Sequence, residues 1–170
     1  MKALGIQGWS GSGKTALIIT LIPLLVARGL RVSTIKHAHH SFDIDHPGKD
    51  SYEHRKAGAR EVLISSAQRY ALLHERHEDS PEPELPELLT KLGKVDLVLV
   101  EGFKKSPLPK IEVWRAKTGK KPLWHQDTHI FAVASPDPKP QNCPHDWLKL
   151  NDSPAIADYI LRWHKNHGPT

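Results

Sequence analysis

Residues 2–15 read KALGIQGWSGSGKT. The apolar run around Ala3, Leu4, Ile6 and Trp9 predicts a buried first strand. Gly8, Gly13, Lys14 and Thr15 then complete the spacing G-x-x-x-x-G-K-[ST], and ALIITLIPLL follows at once as an apolar stretch of helix length. Each residue type has a chemical reason. Glycines let the loop curl so that successive backbone N–H groups turn toward phosphate oxygens, and the following helix offers its positive end to the same oxygens. Lys14 reaches β- and γ-phosphates, and the Thr15 hydroxyl suits Mg²⁺. The expected phosphate site is therefore Gly8, Ser10, Gly11, Ser12, Gly13, Lys14 and Thr15. A Gly/Ser linker matching by chance would lack this strand–loop–helix setting.

The rest of the chain fits one α/β domain over residues 1–170, a mostly parallel sheet flanked by helices. Of its 170 residues 38% are hydrophobic and 25% charged, ordinary for a globular protein. A net charge of +5 fits a phosphate-rich ligand; there is no Lys/Arg run or basic stripe with interleaved aromatics, so nucleic acid is not expected. Cys143 is the single cysteine, which excludes an intrachain disulfide and fits a reducing, cytoplasmic setting. No apolar run approaches the roughly 20 residues of a membrane helix, and no leader pattern precedes the loop.

Further elements follow in order. The first helix runs from Lys14 to about Arg28, with Pro23 expected to kink or shorten it. A second strand spans Leu30 to Lys36, and a short helix capped by Asp50 or Ser51 ends at Gly58. Glu61–Ser66 and Arg69–Glu75 predict an antiparallel hairpin, although its turn lacks Asn-Gly chemistry. An acidic, proline-rich connection leads into a helix through residues 88–93. Lys94 to Glu101 reads as a central parallel strand, with further strands at Ile111–Trp114 and Ile130–Ser135. SPDPKPQNCP reads as an irregular turn region. Asp152 or Ser153 caps a last helix whose Ala155, Ile156, Tyr159, Ile160 and Trp163 share a face.

In open α/β sheets ligands sit outside the carboxyl ends of the strands. The phosphate loop should meet residues 36–50, 101–105 and 135–142 there. Glu101, closing a strand of branched residues, is the candidate to hold Mg²⁺ with Thr15. Asp43 and Asp45, spaced i and i+2, are further metal candidates that could equally face solvent. Lys36 could neutralise phosphate charge, which makes Lys14, Lys36 and Glu101 the candidate catalytic groups. Ala134, Ser135 and Asp137 complete the expected nucleotide contacts. His37, His39, His40 and His46 could bind zinc or nickel, contact phosphate, or be solvated. Lys49, Arg55, Lys56 and Arg60 could form an anion-binding face or a solvated helix surface.

GWSGSGKT, TIKHAHHSFDIDHPGKDSYEHRKAGA, DLVLVEGFK and FAVAS together resemble the molybdopterin-guanine dinucleotide biosynthesis protein B family, across residues 2 to about 137. The resemblance implies a GTP-binding protein with weak Mg²⁺-dependent GTPase activity and a homodimer built partly by exchange of an extended hairpin. It implies an accessory role beside the guanylyltransferase that joins GMP to molybdopterin, with molybdopterin or a molybdoenzyme as further partners. The fold implied is similar to the dethiobiotin-synthetase and nitrogenase-iron-protein branch of phosphate-loop proteins, with Glu101 and one Asp of the Asp43–Asp45 pair near the metal. The hairpin at about 61–75 would be the exchanged element. One departure stands out: where GTP-specific phosphate-loop proteins commonly carry Asn/Thr-Lys-x-Asp, this chain has SPDPKPQN. Asp137 could accept from guanine, but guanine preference rests on the resemblance. The competing readings are a small-molecule kinase or ligase using the same loop, and a metallochaperone GTPase using the histidine-rich segment.

Overall fold

The computed structural model describes residues 1–38, 42–76 and 80–168. They form two compact units, one of residues 1–37 and 84–170 and one of residues 38–83. The first unit holds six parallel strands: β1 (Lys2–Gln7), β2 (Val32–Lys36), β5 (Leu97–Glu101), β6 (Lys110–Val113), β7 (Ile130–Ser135) and β8 (Asp146–Lys149). They lie in the order β2-β5-β1-β6-β7-β8. β1 is central: Leu4 pairs with Leu99 of β5, and Ile6 with Ile111 of β6.

Alternation along β1 and β5 divides the core between the two sheet faces. Leu4, Ile6, Leu97 and Leu99 pack with the buried face of α1 (Lys14–Ala27) and with Ile156, Ile160 and Trp163 of α4 (Ser153–Asn166). Ala3, Val98 and Val100 pack on the other face with Leu85 of α3 (Leu85–Thr90) and Leu108. Such a parallel sheet covered on both faces is what the near-continuous apolar runs predict.

Three details differ from expectation. Pro23 lies inside α1 without ending it. Proline removes the hydrogen bond to the Ile19 carbonyl, but Ile19 is an exposed residue, so the interruption falls on the solvated side while Leu17, Leu21 and Leu25 stay buried. β8 is absent from the sequence expectation; only Trp147 and Leu148 are apolar in it, and its parallel pairing with Ala132–Ser135 of β7 creates it. On α4, Ala157 rather than Ala155 is buried, and Asp152 is the cap, accepting from the Ala155 N–H at 3.1 Å.

The second unit contains α2 (Asp50–Lys56) and an antiparallel hairpin of β3 (Glu61–Ser65) and β4 (Tyr70–His74). Lys49, not Asp50 or Ser51, is the N-cap residue of α2, and its side chain makes no capping bond. The hairpin turn solves its missing Asn-Gly with a hydroxyl: Ser66 Oγ accepts from the N–H groups of Gln68 (3.3 Å) and Arg69 (3.2 Å). Register places Leu63 opposite Leu72 and Ser65 opposite Tyr70 on one face. Leu63, Tyr70 and Leu72 are 63%, 75% and 51% exposed, an apolar ladder facing solvent.

Ile160, fully buried between α1 and the sheet, is a sensitive test of this packing. Ile160→Ala is expected to lower the unfolding free energy by about 2–5 kcal/mol, read from the urea midpoint at unchanged slope.

Candidate functional site

The phosphate loop leaves β1 through backbone that only glycine adopts without strain. Gly8 has φ 147°, and a Cβ there would lie 2.3 Å from the Val113 carbonyl oxygen, so any side chain would push the loop off β6. Gly13 enters α1 with φ 103°. Inside the loop the Ser12 N–H donates to the Trp9 carbonyl at 3.1 Å. Lys14 folds back across it, its Nζ donating to the same carbonyl at 3.0 Å.

Four of the expected groups meet here. Thr15 Oγ1 donates to Glu101 Oε1 at 3.0 Å, and Lys36 Nζ lies 4.0 Å from Glu101 Oε2. Burial holds the Lys14 ammonium below the ordinary lysine range; Glu101 opposes that shift, and the Lys104 and Lys36 ammonium groups add to it. A strongly positive cluster around one carboxylate suits a polyanion and its counter-ion.

The donor set fits a phosphate chain and a hard cation. Ser12 Oγ is buried without a hydrogen-bond partner at the centre of the loop, and a hydroxyl beside a carboxylate is a normal Mg²⁺ donor pair.

The remaining expected residues make contacts of their own. Ala134 is fully buried among core side chains, and its carbonyl accepts from the Trp114 N–H at 3.1 Å. Ser135 Oγ accepts from the Asp137 N–H at 3.1 Å, and Asp137 Oδ2 accepts from the Ala116 N–H at 2.8 Å. Asp43 and Asp45 belong to the second unit, where both face the side chain of Arg55, itself only 12% exposed. Arg55 Nη2 donates to both Asp43 oxygens at 2.9 Å, and its Nη1 to Glu75 at 2.6 Å. The i, i+2 spacing closes a local turn: the Asp45 N–H donates to Asp43 Oδ1 at 3.0 Å. That bond and the Arg55 guanidinium hold the Asp43 carboxyl below its usual range. Arg55 thus serves an internal ion-pair network.

The His37 ring lies against Phe103 with centroids 4.7 Å apart, while His39 and His40 lie outside the described residues. Among the described residues no group of three His, Cys, Asp or Glu side chains is arranged to hold a metal ion.

One residue was not anticipated. Arg115, just past β6, donates from Nε to the Ser12 carbonyl at 2.8 Å. Its Nη2 would lie 3.4 Å from a Cβ on Gly13. The carbonyl that it ties down belongs to the loop whose N–H groups are needed elsewhere, so Arg115 braces the loop in its curled form. The signal was an arginine two residues beyond a strand paired with β1.

Residues 3–136 match the MobB family, Molybdopterin guanine dinucleotide synthesis protein B. This chain belongs to the MobB family. It is 45% identical over 163 residues to the molybdopterin-guanine dinucleotide biosynthesis adapter protein of Escherichia coli K12, covering 94% of this chain and 91% of that one. The adapter protein of the same description from Haemophilus influenzae is 43% identical over 169 residues, covering 97% and 91%. Among solved structures, a molybdopterin-guanine biosynthesis protein B aligns with TM-score 0.76 and 30% identity over 96% of this chain and 99% of that one. A MobB homologue from Bacillus stearothermophilus shares the fold with TM-score 0.74 at 23% identity, covering 98% and 100%. The six-stranded parallel sheet with helices on both faces is thus the fold of MobB proteins.

Arg115→Ala should leave the fold intact and free the loop. Amide exchange at Ser12, Gly13 and Lys14 is expected to speed up by about tenfold, the loss of one charged hydrogen bond, with Arg115→Lys intermediate.

Proposed function

We propose that this protein is an adapter in molybdopterin-guanine dinucleotide biosynthesis that binds GTP with Mg²⁺ in the Gly8–Thr15 loop and hydrolyses it slowly. The observation that carries the reading is the contact of Thr15 Oγ1 with Glu101 Oε1 at 3.0 Å beside a glycine-lined loop. The adapter role rests on family membership and on relatives described as adapter proteins.

In this reading the loop amides and Ser12 Oγ take phosphate oxygens, and Lys14 leaves the Trp9 carbonyl to neutralise the β- and γ-phosphates. Thr15 and Glu101 would hold Mg²⁺, which would supply neutralisation of the phosphate charge when bound. Lys36 adds positive charge on the far side of Glu101. Arg115 is occupied with the Ser12 carbonyl rather than free to meet a phosphate, which supports slow turnover. Ser135 and Asp137 take the base side.

The described helices include none long and apolar enough to cross a membrane, in keeping with a cytoplasmic role. We further propose a homodimer formed through the hairpin, because the ladder of Leu63, Tyr70 and Leu72 leaves an apolar face open to solvent. A guanylyltransferase is the partner that such an adapter would serve, with molybdopterin or a molybdoenzyme next in line.

Lys14→Ala should weaken GTP binding by about a hundredfold in titration calorimetry, the loss of a charged contact to phosphate. Because burial keeps the Lys14 ammonium below the ordinary lysine range, wild-type affinity should fall as pH rises through that lowered value. Glu101→Gln should reduce Mg²⁺-dependent turnover far more than nucleotide affinity; intact turnover removes Glu101 from the metal. Leu63→Lys with Leu72→Lys should give a monomer by analytical ultracentrifugation, and a persisting dimer places the interface elsewhere.

A further inference from the structure

Beside the phosphate loop lies a cavity of about 500 Å³ that the nucleotide reading leaves unused. It runs from Trp9, the second residue of the loop, to Lys104, Lys105, Lys110, Gln126 and Asp127. Lys110 is its buried floor: the side chain is 1% exposed, and Nζ donates to the Lys104 carbonyl at 2.9 Å and to Asp127 Oδ2 at 2.6 Å. Gly5 makes room for it, since a Cβ there would lie 2.8 Å from Lys110 Cγ. The negative charge of Asp127 is therefore spent on Lys110.

Lys104 and Lys105 are different. Among the described residues neither forms an ion pair with a carboxylate; the ammonium of Lys104 lies 5.4 Å from the centroid of the Trp9 ring. A cation–π contact at an exposed site stabilises by only about 0.5–1 kcal/mol, so that ammonium is available to an anion. The backbone that delivers the two lysines is strained. Gly102 has φ 97°, with the His37 Cβ 2.5 Å from where a Cβ of its own would lie, and Phe103 follows at φ 50°, the one non-glycine residue with positive φ among those described. Consecutive residues of positive φ turn the chain off β5 and carry Lys104 over Trp9, with Lys105 beside it in the cavity lining, and strain of this kind concentrates at ligand sites. Lys104 also lies close enough to Lys14 to depress its ammonium, so the cavity and the phosphate loop share one field.

We propose that this cavity is a second anion subsite that takes a small organic phosphate monoester beside the phosphate loop. Lys104 and Lys105 would receive the phosphate, a compact dianion matched by two point charges. Trp9 and Leu123 offer apolar surface to the organic group, and Gln126 can hydrogen-bond it. The volume suits a ligand larger than inorganic phosphate. That the subsite works beside a nucleotide rests on the proposed nucleotide site; its affinity for an organic phosphate does not.

The test is ¹H–¹⁵N NMR on the full chain with phenyl phosphate as probe, read at the Trp9 indole N–H and assigned by its loss in Trp9→Phe. A saturable shift is expected, persisting in Lys14→Ala and with GTP–Mg²⁺ present, and weakened about tenfold or more in Lys104→Ala/Lys105→Ala, which removes two charged contacts. Equal affinity for inorganic phosphate, an equal shift with phenol, loss of the shift when GTP–Mg²⁺ is added, or no shift would each overturn the subsite. Failure of GTP–Mg²⁺ to move the Gly13 and Lys14 amides would instead overturn the nucleotide site, with the phenyl phosphate titration still decisive for the cavity.

Discussion

At Gly8 the chain passes so near the Val113 carbonyl that no side chain fits between them, and this approach fixes where the first loop leaves the sheet. From it follows the position of α1, whose Leu21 and Leu25 complete the core over Leu4 and Ile6. It also draws the end of β6 under the loop, so that Arg115, two residues beyond Val113, reaches the Ser12 carbonyl. A side chain at residue 8 would disturb the packing of β6 and the course of the loop together.

The segment after β6 acts as a second support. Trp9 Nε1 donates to the Lys121 carbonyl at 2.8 Å and Trp114 Nε1 to the Lys120 carbonyl at 3.0 Å. Buried Glu112 accepts from the N–H groups of Leu123 and Trp124, although burial raises its pKa. Asp137, beyond β7, accepts from the Ala116 N–H. The polar segment after β6 is thereby tied to the Gly8–Thr15 loop on one side and to Asp137, just past β7, on the other.

Where local chemistry dictated local structure, the sequence was readable. The Gly-rich loop, the branched run ending at Glu101, the hairpin strands and the Asp152 cap each carry their own signal. β8 lacked one, because Asp146 and Lys149 flank its two apolar residues and the preceding Pro136, Pro138, Pro140 and Pro144 conceal a strand made by its pairing with β7. The spacing of Asp43 and Asp45 left a metal role and a solvated role open, and their pairing with Arg55, ten or more residues on, could not be read from it. The link from Arg115 to Ser12 spans 103 positions, and no local pattern encodes such a contact.

The outermost strands of the six-stranded sheet carry a last consequence. β2 presents Thr34 and Lys36 to solvent, and β8 has only four residues, bounded by Asp146 and Lys149. Short, charged borders make poor templates for another chain to extend the sheet. Both rims of this sheet therefore disfavour fibrillar growth.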